Sequence, residues 1–255
     1  VTTVSLRDVS VDIPVYNIGS SSLRRAILGR TIGGRFGQTG AHVIVNALKH
    51  ISFDAHEGDR IGLVGYNGSG KTTLLRVLAG VYAPTSGSAV VNGNISPMFE
   101  TALGMSPDAT GLENIWLCGR LWGLTGPQIR ASLDDIIEFT ELGDYLKMPL
   151  RTYSSGMQLR LAFAIATVRK ADVLLLDEVI GVGDASFFPK AFARLKGLVH
   201  HARSLFVASH SNAIIRDICN KAIWLHQGSL IAAGEVEEVL RAYERGEPPH
   251  REAAQ

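Results

Sequence analysis

The 255-residue chain carries 25 lysines and arginines against 24 aspartates and glutamates, so no overall charge imbalance directs it to nucleic acid or to an anionic surface. No stretch approaches the ~18 apolar residues that a spanning helix needs, and the first residues lack a charged-then-apolar signal region. This is the pattern of a cytosolic chain, whose membrane role, where one exists, comes through a partner. The length suits one large α/β domain or a domain carrying an inserted subdomain.

Residues 4–13 alternate apolar and polar side chains over much of their length, as a half-buried strand does, and residues 51–53 and 60–64 supply further strand candidates. Between them, residues 16–43 are rich in Gly, Ser and Arg; residues 20–28 read either as a short amphipathic helix or as a solvated loop. From Thr110 to Val168 the pattern turns helical. Thr110 is placed to cap a helix over 111–122, and Thr125-Gly126-Pro127-Gln128 has capping-box spacing before a helix over 129–140. Short apolar runs then return at 173–176, 204–208, 222–225 and 229–233, with Gln227-Gly228 placed as a hairpin turn. Residues 244–255, with Pro248-Pro249 and several charges, read as a flexible tail. Cys118 and Cys219 lie far apart among apolar neighbours, without metal or redox spacing, and are expected as buried, reduced thiols.

Chemistry concentrates in three places. Gly65-Tyr66-Asn67-Gly68-Ser69-Gly70-Lys71-Thr72 fits GxxxxGK[ST] directly after an apolar strand and before a helix-like segment from Thr73. Glycines there let backbone N–H groups wrap phosphates, Lys71 adds a positive charge at the β- and γ-phosphates, and the Thr72 hydroxyl is suited to ligate magnesium. A hundred residues later, the apolar run 173–176 ends in Asp177 and Glu178. Beside a phosphate loop, the first acid holds magnesium and the second orients the attacking water. Finally, Tyr153-Ser154-Ser155-Gly156-Met157-Gln158-Leu159-Arg160 precedes an apolar helix, where small residues and hydroxyls form either a second anion site or a plain helix cap.

Taken in order, the phosphate loop, the helical insert, Ser154-Ser155-Gly156-Met157-Gln158, Leu174-Leu175-Leu176-Asp177-Glu178 and then Ser209-His210 resemble the ATP-binding cassette (ABC) transporter family, over residues 4–234. Tyr153-Ser154-Ser155-Gly156-Met157 stands where that family's signature usually reads Leu-Ser-Gly-Gly-Gln. Phe99-Glu100-Thr101-Ala102-Leu103-Gly104-Met105, Thr110-Gly111-Leu112-Glu113-Asn114 and Asp177-Glu178-Val179-Ile180-Gly181-Val182-Gly183-Asp184 are similar to one branch, the ATPases that export polysaccharides and polyol-phosphate polymers on lipid carriers.

The resemblance implies an α/β P-loop ATPase: a mixed-sheet core, an antiparallel β region and a helical subdomain inserted at about 101–168, all within one domain. It implies ATP and magnesium as cofactors. Gly65, Asn67, Gly68, Ser69, Gly70, Lys71, Thr72 and Thr73 would hold phosphates; Thr72, Asp177 and Glu100 would hold the metal. Glu178 and the switch residue His210 would be catalytic. Ser154, Ser155, Gly156 and Met157, with Asp184 of the D-loop, would complete the site of a second copy in a head-to-tail homodimer. Tyr16 is the candidate to stack on adenine, its alternative being an ordinary packing tyrosine. The implied partners are a polytopic membrane permease in two copies and, through it, a lipid-linked glycan such as O-antigen, capsule or cell-wall galactan, with no nucleic acid. The implied location is the cytoplasmic face of the inner membrane. Ending near residue 255, the chain is expected to lack the C-terminal carbohydrate-binding domain of some O-antigen exporters. The competing readings are an ATPase for teichoic acid, drug or lipid export, and a non-transport cassette acting on ribosomes or in DNA repair.

Overall fold

Alternation of buried and exposed residues runs through β1 (Thr2–Val15), but it changes phase: Val4 and Leu6 are buried, then Val9 and Val11. The one-residue slip coincides with a register shift against β3 (His42–His56), and Asp8 absorbs it with φ at 52°. The computed structural model describes residues 1–15, 36–39, 42–99, 104–168, 171–177 and 187–247. The described residues fall into two units, Val1–Gly93, Leu176–Val179 and Arg203–Gln255 in the first, Asn94–Leu175 and Ile180–Ala202 in the second.

In the first unit, β2 (Phe36–Thr39), β3, β1 and β5 (Ser86–Val91) form an antiparallel sheet in that order. Only residues 51–53 of β3 stood out in the sequence, because Asn46, Lys49 and His50 interrupt its apolar alternation. A second, mixed sheet is centred on β4 (Arg60–Val64), which is parallel to both β8 (Ser204–Ala208) and β9 (Lys221–His226). Residues 61–64 and 204–208 are buried throughout, as parallel strands covered on both faces must be. β10 (Ser229–Glu235) returns antiparallel to β9 through Gln227 and Gly228, with φ of 48° and 83°, the left-handed pair a tight hairpin requires. The fold is thus the expected α/β type with a mixed sheet and an antiparallel region.

Three helices accompany these strands: α1 (Lys71–Leu78), α6 (Asn212–Ile218) and α7 (Val236–Arg245). Glu244 accepts from the Arg216 guanidinium and the Asn212 amide, both at 2.9 Å, and Glu237 lies 3.3 Å from Arg216, so α6 and α7 are cross-linked by charge. This corrects the expected start of the tail: Glu244 and Arg245 are helical, and Gly246, with φ 70°, ends α7. Residues 248–255 lie outside the described ones.

The second unit holds a short parallel pair, β6 (Ile95–Pro97) with the first three residues of β7 (Val173–Asp177), and the helices α2 (Gly111–Leu121), α3 (Gly126–Thr140), α4 (Ser155–Ala166) and α5 (Phe188–His201). Thr110 and Glu113 cap α2 reciprocally: the Thr110 hydroxyl accepts from Glu113 N–H, and the Glu113 carboxylate accepts from Thr110 N–H. Those bonds hold the Glu113 carboxyl below its ordinary pKa. Ahead of α3, Gln128 Oε1 accepts from the backbone N–H and hydroxyl of Thr125. Asn114 is fully buried and satisfied: Oδ1 accepts from Ser106 N–H, and Nδ2 donates to the carbonyls of Ser106, Ala109 and Thr110. Phe139 anchors the core between Phe163 and Phe187, with centroids 5.9 and 5.1 Å away. Among the described residues no helix is long and apolar enough to cross a membrane.

Gly62 shows how tightly α6 is seated on β4, since a Cβ there would lie 2.4 Å from Ile215 Cγ2 and 3.1 Å from its Cδ1. Gly62→Ala should therefore cost about 1–3 kcal/mol through overpacking. That loss would be read as a fall in Tm of about 2–4 °C per kcal/mol. Pairing it with Ile215→Ala, which removes both opposing methyls, should give less than the sum of the two single losses.

Candidate functional site

β4 ends at Val64 and α1 begins at Lys71, so six residues must turn the chain from the sheet edge into a helix axis. They do so through three glycines in the left-handed region, Gly65 (φ 146°), Gly68 (74°) and Gly70 (113°). At Gly65 the requirement is also steric: a Cβ would sit 2.3 Å from the Leu225 carbonyl oxygen and 2.6 Å from Ser69 Oγ. Gly70 is the N-cap of α1 and supplies no side-chain cap, and the first turn contains no acid. The positive end of the helix is left to whatever anion the loop receives.

Lys71 is only 8% exposed. Its ammonium donates to the carbonyls of Gly65 at 2.6 Å and Tyr66 at 3.2 Å, which places the charge inside the loop's own ring. The Tyr66 carbonyl also accepts from Ser69 N–H at 3.0 Å. Ser69 Oγ is buried and finds no hydrogen-bond partner among the described residues. A buried ammonium, an orphaned hydroxyl and an uncapped helix start form a donor set that fits phosphate oxygens. Asn67, Gly68 and Thr72 are exposed beside it and Thr73 is half-buried.

Neighbouring main chain holds the loop from outside. Gly228 N–H donates to the Ser69 carbonyl at 2.8 Å, and the Gly228 carbonyl accepts from Lys49 N–H at 2.8 Å. A Cβ on Gly228 would come within 2.8 Å of the Ala47 carbonyl oxygen, and one on Gly70 within 3.0 Å of the same atom. The β9–β10 hairpin and β3 therefore grip the loop by close backbone approach. Sequence reading found the Gln227-Gly228 turn but not this grip, because nothing local to the turn says what it touches.

Register places a further group at the same edge. Leu63 of β4 lies opposite Ala208 of β8, so Gly65 and the Ser209-His210 pair leave the sheet at the same end. Ser209 is buried, its hydroxyl accepting from Ser211 N–H at 3.1 Å, while His210 is exposed. Asp177 closes β7, is half-buried, and belongs with Leu176 to the unit that carries the phosphate loop. Among the described residues no three His, Cys, Asp or Glu side chains gather to hold an ion unaided. Tyr16, Glu100, Glu178 and Asp184 lie outside the described residues, as does the segment 20–28.

In the second unit, Ser154 is the N-cap of α4, its hydroxyl accepting from Met157 N–H at 3.2 Å. Ser154 and Ser155 are exposed, Gly156 and Met157 half-buried. Residues on either side are fixed: Tyr153 OH donates to the Tyr145 carbonyl at 2.6 Å, and the Arg160 guanidinium lies 4.7 Å from the centre of the Phe187 ring. Capping by Ser154 thus coexists with an exposed Ser155 hydroxyl at the positive end of α4. Both cysteines are free and buried, as expected, and burial pushes their thiols up to about 11 for Cys118 and about 12 for Cys219, which keeps them unreactive.

A family profile described as ABC transporter matches residues 48–181. The O-antigen export system ATP-binding protein RfbE of Yersinia enterocolitica is 40% identical over 228 residues, covering 89% of this chain and 95% of that protein. The teichoic acids export ATP-binding protein TagH of Listeria innocua is 38% identical over 198 residues; the match takes in 78% of this chain and 59% of TagH. Among solved structures, the dimeric post-hydrolysis state of an ATP-binding cassette bound to ADP and Pi superposes with a TM-score of 0.67 at 20% identity, over 91% of this chain and 98% of that one.

Replacing Gly228 tests the grip on the loop. Gly228→Ala places a Cβ against the Ala47 carbonyl and forces a left-handed alanine, worth about 1–2 kcal/mol of strain. If the Ser69 peptide moves in response, triphosphate affinity should fall by about tenfold. Gly246→Ala carries similar backbone strain, with φ 70° and no neighbour within 4 Å. That variant should lower Tm and leave affinity alone, as titration calorimetry would show.

Proposed function

Because the chain belongs to the ABC transporter family, we propose that it is the ATP-hydrolysing, nucleotide-binding subunit of an exporter that moves a lipid-linked polysaccharide across the cytoplasmic membrane. The observation that carries the nucleotide reading is the phosphate loop, where Lys71 is buried against the Gly65 and Tyr66 carbonyls beside the unpartnered Ser69 hydroxyl. The polymer reading rests on the 40% identity with an O-antigen export ATPase along nearly the whole of both chains.

In this proposal the residues divide the work. The loop amides of Gly65, Asn67, Gly68, Ser69 and Gly70, with Lys71 and Thr73, bind the phosphates and fix the terminal one for in-line attack. Thr72, Asp177 and Glu100 hold the metal; magnesium, when bound, neutralises charge developing on the phosphate oxygens. Glu178 orients the attacking water and accepts its proton, and His210 contacts the terminal phosphate from the end of β8. Tyr16 stacks on the adenine. Ser154, Ser155, Gly156, Met157 and Asp184 of a second copy close the site, so that two sites form in a two-fold homodimer. Contacts from both copies to the terminal phosphate favour the closed dimer before hydrolysis and release it afterwards. The permease, in two copies, receives that motion at the cytoplasmic face through the residues around Glu100 and presents the lipid-linked glycan; nucleic acid takes no part.

One alternative cargo has its own support: the 38% identity with a teichoic acid export ATPase favours a polyol-phosphate polymer. The deciding experiment is ATPase activity of the chain co-purified with its membrane subunit, with a lipid-linked glycan or a lipid-linked polyol phosphate added. Stimulation by the glycan alone supports the main reading; stimulation by the polyol phosphate alone transfers it to the alternative. Activity indifferent to the membrane subunit and to both polymers would overturn transport.

Two variants test the site itself. Glu178→Gln should lower kcat by about 10²–10⁴-fold and accumulate ATP-loaded dimers on gel filtration; rapid turnover would remove Glu178 from its role. Lys71→Ala loses charge-assisted hydrogen bonds to phosphate and should weaken ATP binding by about 10–100-fold.

A further inference from the structure

Tyr66 occupies the second position of the phosphate loop and is 68% exposed as a residue. Its peptide is nevertheless held within the loop, since its carbonyl receives both Ser69 N–H and the Lys71 ammonium. Its ring neighbours Tyr243, in the last turns of α7, with centroids 5.8 Å apart at 58°. Tyr243 rests in turn on Trp224 of β9, centroids 5.6 Å apart at 69°. Trp224 is buried, and its indole N–H has no acceptor among the described residues, so packing alone locates that ring.

These contacts form a continuous aromatic path, Trp224 to Tyr243 to the ring of Tyr66, the residue whose carbonyl receives the Lys71 ammonium together with that of Gly65. Each tilted or edge-on pair restrains both ring position and ring angle, and a restraint on the Tyr66 side chain is a restraint on its peptide. The charged links between α6 and α7 hold the helix that carries Tyr243.

We infer that Tyr243 is a positioning residue for nucleotide binding: its ring, backed by Trp224, sets the Tyr66 peptide and through it the place of the Lys71 ammonium. The inference rests on the nucleotide-binding role proposed above. It makes α7, far along the chain from the phosphate loop, part of what preorganises that loop, and so a place where a change in α7 reaches ATP affinity without touching ATP.

The test compares Tyr243→Ala, Tyr243→Phe, Tyr66→Ala and the double alanine variant by titration calorimetry with ADP and ATP, by KM and kcat, and by amide hydrogen exchange of residues 66–71 without nucleotide. Tyr243→Ala should weaken nucleotide binding and raise KM by about fivefold, with little change in kcat. It should also speed exchange across 66–71. Tyr243→Phe, which keeps the ring, should match the parent, and the double variant should be no worse than Tyr66→Ala alone. Affinity and exchange unchanged in Tyr243→Ala, or strictly additive losses in the double variant, would overturn the inference. Should Tyr243→Ala fail to fold, Tyr66→Ala decides alone, since its exposed ring contributes little to the core: unaltered exchange at 67–71 refutes the path. Failure of the parent protein to bind either nucleotide would instead refute the nucleotide-binding role, a result distinct from any of these.

Discussion

The phosphate loop is a main-chain structure, and the first unit is arranged so that other main chain can approach it. Gly65 lies under the Leu225 carbonyl, Gly70 under the Ala47 carbonyl, and the Gly228 N–H reaches the Ser69 carbonyl. A Cβ at Gly65, Gly70 or Gly228 would meet this neighbouring main chain at 3.0 Å or less, which is why glycine stands at each of the three positions. Placing an ammonium in this interior would be costly if it were unpaired. The Gly65 and Tyr66 carbonyls offset that cost and at the same time fix where the positive charge points.

The sheet follows from the same requirement. A loop that leads from a strand into a helix N-terminus needs a strand buried on both faces, and β4 supplies one, flanked in parallel by β8 and β9. Parallel neighbours end at one edge, so Ser209 and His210 emerge where the loop begins. The hairpin from β9 to β10 then folds back with two left-handed residues, and that compact turn brings Gly228 within reach of Ser69. Chemistry at this edge is a consequence of strand direction as much as of residue type.

In the second unit the start of α4 is held by local contacts. Ser154 caps the helix, Tyr153 is tied to the Tyr145 carbonyl, and Arg160 is laid on Phe187. Buried Asn114 does the same for the loop before α2, satisfying three carbonyls and one amide with one side chain. Local hydrogen bonds of this kind make short segments rigid without a large core.

Much of this was legible in the amino-acid order because it is local. Strand, glycine-rich turn, lysine and helix are consecutive from 61 to 78; Thr110 and Thr125 stand at the helix starts that their spacing marks; Gln227-Gly228 turns as its left-handed residues dictate; and the α/β fold with its mixed sheet was implied by the family resemblance that the order of motifs carries. Other features were not legible, and each depends on residues distant in sequence. The full length of β3 is stabilised by pairing with β1 and β2 and not by its own alternation. Helix α7 continues through Glu244 because Arg216 and Asn212, 28 and 32 residues earlier, hold that carboxylate. The grip of Ala47 and Gly228 on the loop, and the tilted contact of Tyr243 with Tyr66, exist only once β3, the hairpin and α7 have been packed around β4. The sequence by itself determined which residues build the glycine-rich loop and its lysine, since that depends on spacing along one turn; tertiary structure decided how firmly they are held, since that depends on which distant backbone comes close.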